Sequence, residues 1–341
     1  RESRAARIQA GVFGPALEAQ LKPHGYTLRH FPQSFEYSTL GGWIATRSGG
    51  HFATLYTHID YFVESMRLVT PQGVMETRRV PGSGAGPSPD RLVIGSEGIL
   101  GIITEAWMRL QDRPRYRASK AVRFDTMPEG AQAVRALSQS GLYPANCRLV
   151  DADEAAVSGA VDDEGALLVL GFESGDHLVD GWMARALELV ADHGGRFETD
   201  GGGGVSHREG AVGAWRDAFI RAPFLREILA PVGLIGDTFE TSITWDRFQA
   251  FHDEIKSEMM RVLREVTGRP ARVTCRFTHA YPDGPAPYFT FQTLGDRDGV
   301  LEQWREIKAA ASELVVRLGG TITHHHAVGR DHRPGYDKQR P

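Results

Sequence analysis

The chain has 341 residues, of which 41% are hydrophobic and 24% charged, and its formal net charge at pH 7 is −4. This composition predicts a globular protein of about two domains, and the acidic balance excludes a nucleic-acid binder. Two cysteines exclude a disulfide framework and favour a reducing, cytoplasmic compartment, and no apolar run reaches the about 18 residues of a membrane span.

The first part of the chain reads as helix, hairpin and loop. The sequence begins inside an apparent helix and has no signal peptide, so we expect it to be a piece of a longer protein. A turn at 14–15 precedes an amphipathic helix that ends near Gly25. Alternation over 62–70, a Pro-Gln-Gly turn and a return over 74–78 predict a β-hairpin. The Gly- and Pro-rich tract at 81–89 predicts a surface loop.

Two glycine-rich stretches flank this hairpin. The first reads S-T-L-G-G-W-I-A-T-R-S-G-G-H over 38–51, and the second reads G-S-E-G-I-L-G-I-I-T over 95–104. Glycine lets the backbone approach a ligand closely and leaves its N–H groups open to an anion. Either stretch alone is equally well read as a turn of an ordinary sheet. Together they favour a cradle for a flat, anionic cofactor.

From about residue 116 the predicted elements change to alternating strands and helices. Strands over 120–124, 147–150 and 166–173, with helices over 127–140 and 178–192, predict a ferredoxin-like antiparallel sheet with helices on one face. The rest of this part is predicted as helices over 208–230, 244–266 and 299–318 and strands over 271–280, 287–293 and 320–323.

Three adjacent histidines, His324, His325 and His326, follow the last predicted strand. Neighbours on a strand point to opposite faces, so at most two of these rings are expected to share one site. No cysteine or carboxylate lies at metal-ligand spacing, and we therefore predict no metal site. A polar strand end with incidental histidines is the plainer alternative.

The whole pattern resembles the vanillyl-alcohol-oxidase-type flavoprotein family, and within it the alkyldihydroxyacetonephosphate synthase branch. The motif H-H-H-x-V-G matches residues 324–329 and is the most specific feature. The resemblance implies an α+β fold. Residues 1–115 would be the later part of a PCMH-type FAD-binding domain, and residues 116–341 an FAD-linked oxidase-type C-terminal cap domain with an antiparallel sheet and flanking helices.

The same resemblance implies FAD as cofactor and assigns three segments to its binding. All three are short and rich in glycine or hydroxyl side chains. Their residues are Gln33, Ser34, Phe35, Glu36, Tyr37, Ser38, Thr39, Thr46, Arg47, Ser48, Gly49, Glu97, Gly98, Ile99, Leu100, Gly101, Ile102 and Ile103.

Residues for chemistry and substrate binding are implied in the same way. Tyr288 keeps the family's interval from the arginine of a T-C-R segment and would be the acid–base group, with the three histidines beside it. A core tyrosine is the plainer reading. Arg226 would bind the substrate phosphate, since a guanidinium meets phosphate bidentately. Arg148 matches a further arginine of the family, although either arginine can also be an ordinary structural residue.

The implied activity is ether-lipid synthesis. A fatty alcohol replaces the acyl chain of 1-acyl-dihydroxyacetone phosphate, and FAD takes part without net redox change. A flavin oxidoreductase acting on a 2-hydroxy acid such as D-lactate or glycolate is the alternative, and a non-catalytic flavin-binding or scaffold protein is the third. Lipid substrates would also imply peripheral membrane contact, and a homodimer is a further expectation.

Overall fold

The computed structural model describes residues 1–157, 165–197 and 230–341. Its first part contains a four-stranded antiparallel sheet in the order β1-β5-β3-β4 and a small two-stranded sheet of β2 and β6. The strands are β1 (Ala5–Gln9), β2 (Tyr26–Thr27), β3 (Val63–Thr70), β4 (Gly73–Glu76), β5 (Ile102–Arg109) and β6 (Gln111–Asp112). The predicted hairpin is therefore confirmed as β3 and β4.

The expectation that the chain begins inside a helix is wrong. Residues Ala5–Gln9 pair antiparallel with residues 105–109 of β5, in the register Ala5↔Arg109 to Gln9↔Glu105. This strand is fixed by hydrogen bonds to a partner distant in sequence, and local periodicity does not reveal such a partner.

Three short helices cover this first part. They are α1 (Gly14–Leu21), α2 (Leu40–Thr46) and α3 (Pro89–Val93). Thr39 begins α2, because its side-chain oxygen accepts a hydrogen bond from the N–H of Gly42 at 3.3 Å. Trp43 and Ile44 of this helix are buried against Met108 of β5 in the core of the first part. This packing holds the start of the first glycine-rich stretch on the sheet.

The second part is built on one six-stranded sheet in the order β10-β12-β11-β8-β9-β7, with every neighbouring pair antiparallel. Its strands are β7 (Tyr116–Phe124), β8 (Asn146–Val150), β9 (Ala166–Ser174), β10 (Leu234–Glu240), β11 (Ala271–Ala280) and β12 (Pro285–Leu294). Its helices are α4 (Met127–Gln139), α5 (Ala152–Val157), α6 (Asp180–Ala191), α7 (Trp245–Thr267), α8 (Val300–Arg317) and α9 (Arg333–Gln339). The antiparallel sheet with helices is thus confirmed.

Two predicted elements have a different outcome. The predicted helix over 208–230 lies almost entirely outside the described residues. The predicted strand over 320–323 is wrong, because the segment from Gly320 to His326 is a turn without strand pairing. Among the described residues, no helix is both long and apolar enough to cross a membrane.

The two faces of the large sheet differ in character. Phe239, Phe289 and Cys275 are directly paired across β10, β12 and β11 and are buried against helices such as α7. The next residues along the same strands, Glu240, Tyr288 and Arg276, are also paired and lie on the opposite face. We call this second surface the polar face. It lies toward the first part of the chain and positions the candidate site.

Candidate active site

The three histidines lie in a turn wrapped around Glu240, the last residue of β10. Their Nδ1 atoms are 3.8 Å (His324), 3.3 Å (His325) and 3.7 Å (His326) from the nearer carboxylate oxygen. Because the segment is a turn, all three rings approach one group. The predicted strand geometry of the triplet is therefore wrong, whereas the cluster with metal-ligand spacing contains two of its rings, His324 and His325.

A fourth histidine on β11 joins this cluster. Nitrogen atoms of His279, His324 and His325 all lie within 4.8 Å of one another, a spacing that metal ligands also have. These rings already have protein partners, since His279 Nε2 lies 3.0 Å from Gly50 O and His324 Nε2 lies 2.7 Å from Tyr281 Oη. The expected absence of a metal stays a prediction.

Tyr288 belongs to this cluster because its ring contacts two of the histidine rings. Its ring stacks on His325 at a centroid distance of 6.3 Å and meets the edge of His326 at 5.5 Å. The Tyr288 hydroxyl itself donates to Thr238 Oγ1 at 3.0 Å. The tyrosine hydroxyl that contacts a histidine of the triplet is that of Tyr281. The structure thus provides two tyrosines for proton transfer where the sequence predicted one.

Arginine side chains lie along the polar face. Arg276 places its guanidinium carbon 3.9 Å from the centroid of the Tyr288 ring and forms an ion pair with Glu154. Arg148 is buried, and its Nη2 donates to His51 O at 3.2 Å. Burial and the nearby Arg276 guanidinium lower the pKa of Arg148 to about 10, so this arginine stays charged at neutral pH. Arg226 lies outside the described residues.

The segment 46–49, predicted to bind the cofactor, meets the histidine turn directly. A Cβ added to Gly49 would lie 2.9 Å from His325 Cβ, so only glycine permits this approach. Arg47 adopts a left-handed backbone (φ 53°), and its Nη2 donates to Asp60 Oδ2 at 3.3 Å. Ser48 is buried with its Oγ 2.8 Å from His30 Nε2.

The second glycine-rich turn, 97–103, reaches the histidine loop through a side chain. The carboxylate of Glu97 accepts hydrogen bonds from the N–H groups of Val328 at 2.7 Å and Gly329 at 2.8 Å. Ile99 and Ile102 are 84% and 73% exposed, so this turn presents an apolar surface beside open backbone. Such a surface fits a flat ring system, and residues 46–49 and 97–103 would hold FAD there.

The remaining predicted cofactor segment, 33–39, forms the turn before α2. Trp43 Nε1 donates to Ser38 Oγ at 2.6 Å, and Ser34 Oγ is 3.1 Å from the same atom. The Phe35 ring stacks near Trp43 at 6.0 Å. Gln33, Glu36 and Tyr37 are exposed. In the structure this segment supports α2, and its contact with a cofactor stays a prediction.

Burial sets the charges in the cluster. Burial lowers the pKa of His324 and of His279 well below 6.5 and that of His326 to about 4, so these rings are neutral at neutral pH. Burial alone would raise the pKa of Glu240, but electrostatic interactions and a hydrogen bond with the histidine turn lower it well below its ordinary value. His279, His324 and His326 are thus neutral imidazoles beside one ionised carboxylate.

Several residues of this site are missing from the sequence predictions. His58 Nε2 lies 3.1 Å from His324 O, and its ring meets that of His324 at 4.7 Å. His279 near the end of β11 and Tyr281 just after that strand are two residues apart in the T-H-A-Y segment, which was a usable signal because alternate residues of an extended chain lie on one face. Glu240 offered no local signal.

Two protein-family models match the chain. The FAD binding domain matches residues 1–78, and the C-terminal domain of FAD-linked oxidases matches residues 113–341. The chain is 29% identical to alkyldihydroxyacetonephosphate synthase of Dictyostelium discoideum over 98% of its length and 30% identical to that of Caenorhabditis elegans over 97%. It spans 57% and 59% of these relatives.

A solved alkyldihydroxyacetonephosphate synthase structure superposes with a TM-score of 0.80 at 27% identity, covering 94% of this chain and 60% of that one. The α+β fold is therefore confirmed, and FAD is the cofactor that the matched domains imply and the turns fit. Since the C-terminal-domain match covers most of the chain, the protein belongs to the family of FAD-linked oxidases.

Proposed function

We propose that the full-length protein is an FAD-dependent alkylglycerone-phosphate synthase. It would convert 1-acyl-dihydroxyacetone phosphate and a long-chain fatty alcohol into 1-alkyl-dihydroxyacetone phosphate and a fatty acid. The alcohol supplies the ether oxygen, and its hydroxyl proton balances the released acid. The similarity to two curated synthases supports this reaction over others of the family.

One observation carries the proposal. Gly49 of the proposed flavin turn contacts His325, and His325 in turn stacks on Tyr288. A substrate carbon held beside the flavin would therefore lie beside the imidazoles and a phenol as well. General acid–base catalysis needs groups within hydrogen-bond reach of the transferred proton.

The chain's own residues have separate tasks in this mechanism. Tyr288 moves the proton at C1 of the dihydroxyacetone unit. Burial raises the pKa of its phenol, and the Arg276 guanidinium over its ring opposes that rise by favouring the phenolate. The histidines form hydrogen bonds and exclude water from the buried cluster. Arg226 binds the phosphate, and the buried Arg148 adds positive charge to the polar face. FAD, when bound, would be held by residues 46–49 and 97–103 and would supply an electrophilic ring system beside the histidines.

The test uses the full-length protein with its flavin spectrum recorded. Palmitoyl-dihydroxyacetone phosphate and labelled hexadecanol are added, and mass spectrometry detects the labelled ether. Ether formed without oxygen consumption supports the synthase. Bleaching of the flavin by D-lactate or glycolate, with no ether, would instead support the 2-hydroxy-acid oxidoreductase. A protein that retains no flavin would support the non-catalytic alternative.

A further inference from the structure

The carboxylate of Glu240 has an unusual set of donors. Its Oε1 accepts from Thr323 Oγ1 at 2.6 Å and from the backbone N–H groups of His324 at 2.9 Å, His325 at 3.0 Å and His326 at 3.0 Å. Its Oε2 lies 2.8 Å from the N–H of His324. Three successive backbone amides thus converge on one anion, which is the geometry of an anion-binding nest.

The hydroxyl of Thr323 and the backbone amides of the turn are the principal partners of the Glu240 carboxylate. The side chain is 1% exposed. Within the described ranges its ion pairs are with the three histidines and none is with a lysine or arginine. A buried carboxylate normally needs a cation or several strong hydrogen bonds. Glu240 therefore obtains its stabilisation from the turn, and the turn obtains its shape from Glu240.

The position of Glu240 makes it a rigid anchor. It ends β10 and is paired directly with Tyr288 of the neighbouring strand β12. The histidine turn, by contrast, pairs with no strand. The carboxylate thus fixes the histidine backbone to the strand that carries the proposed acid–base tyrosine.

We propose that Glu240 is a positioning residue that holds His324, His325 and His326 in register with Tyr288. This inference deepens the proposed function and rests on it for its catalytic consequence, but its structural core is independent of which reaction occurs. Glutamine at this position keeps the size of the side chain and one acceptor oxygen, which can still receive the three amides. It removes the negative charge and places an NH₂ group, which cannot accept, where Oε2 lies 2.8 Å from the N–H of His324.

The experiment compares full-length, flavin-loaded wild type with Glu240→Gln and Glu240→Asp, and with the exposed control Glu265→Gln. Each protein is labelled with ¹⁵N-histidine, and the amide resonances of the turn are recorded together with kcat, KM and Tm. We expect the three amide resonances to move upfield in Glu240→Gln, because their charge-assisted hydrogen bonds become weaker neutral ones. We expect kcat to fall about 10²-fold, as for a misplacement of about 1 Å, with KM changing less.

Glu240→Asp keeps the charge and is expected to recover part of both effects. If Glu240→Gln does not fold, Thr323→Ala removes a single donor and should shift the same resonances by a smaller amount. Unchanged amide resonances and kcat, with only Tm lowered, would overturn the proposal. If wild type forms no ether but the resonances still move, the positioning role stands and the proposed reaction fails.

Discussion

The two faces of the six-stranded sheet use the same strands for different purposes. On β12, Phe289 and Phe291 are fully buried in the core. Tyr288, which precedes Phe289 and is paired with Glu240 of β10, lies on the other face and contacts two histidine rings. Side chains alternate with a period of two along a strand, so each step changes the face. A single strand can therefore stabilise the fold and position chemical groups without one role displacing the other.

The energetic terms on the two faces are opposite in sign. Aromatic burial beneath the sheet is favourable, with Phe239 and Phe289 stacked at 5.1 Å. On the polar face, Arg276, Glu154 and Glu240 are removed from water, which is costly unless each is paired. The apolar face thus offsets the cost of holding charges and neutral histidines on the other.

The largest expected effect on the polar face is that of Tyr288→Phe. Removing the phenol should reduce ether formation about 10²–10⁴-fold if Tyr288 transfers the proton, while Tm changes little because only the hydrogen bond to Thr238 is lost. Tyr281→Phe is the matched variant, since its hydroxyl contacts His324. Steady-state rates of ether formation compare the two variants. A greater loss of rate with Tyr281→Phe would show that Tyr281, and not Tyr288, transfers the proton.

The corresponding change on the apolar face is Phe289→Ala, one residue further along. We expect the free energy of unfolding to fall by about 3–5 kcal/mol, because the substitution leaves a cavity in the core. Activity per folded molecule should remain, which denaturant titration and flavin-normalised rates would establish. Phe289→Leu should lower the free energy of unfolding by less, because it leaves a smaller cavity. A rate loss as large as that of Tyr288→Phe would show that the two faces are not separable.

Acid pH should act on the buried histidines of the polar face. His279 is 2% exposed, and burial holds its pKa well below 6.5. Near pH 6.5 this histidine takes up a proton in the unfolded chain but not in the folded chain. The free energy of unfolding therefore decreases as the pH falls below about 6.5, by up to about 1.4 kcal/mol per pH unit for each such histidine. Unfolding curves between pH 8 and about 4 measure this slope.

His279→Gln should flatten the decline by the contribution of one proton. Phe289→Leu is the control, since its destabilisation should be the same at each pH. Equal slopes for wild type and His279→Gln would contradict the assignment of a buried neutral histidine at this position.

Much of the fold follows from local sequence patterns. The alternation in β11 and β12 and the apolar period of the helix found as Trp245–Thr267 predicted these elements close to their observed bounds. The capping box of Thr126 and Glu129 likewise begins α4 where the helix was predicted. Within the site, the resemblance assigned the histidine triplet to chemistry and Gly49 to cofactor binding, and the structure brings Gly49 and His325 into contact.

What sequence could not provide depends on partners distant in the chain. The histidine turn was predicted to follow a strand, but Thr321 N donates to Ser242 O and the histidine amides donate to Glu240. The Tyr288 hydroxyl was expected beside an imidazole, but it donates its hydrogen bond to Thr238. No periodic pattern in the sequence predicts either contact, because both depend on how β10 lies beside β12 and beside the histidine turn.

The bond between Glu97 and the loop after the histidines has a consequence for synthesis of the chain. Glu97 and Val328 are 231 residues apart, which is about 12–46 seconds of translation at 5–20 residues per second. The flavin turns are therefore made long before the residues that complete the reactive cluster. A nascent chain therefore passes through a period in which residues 46–49 and 97–103 exist and the histidine turn does not, so the carboxylate of Glu97 gains its two backbone donors only when residues 328 and 329 have been added.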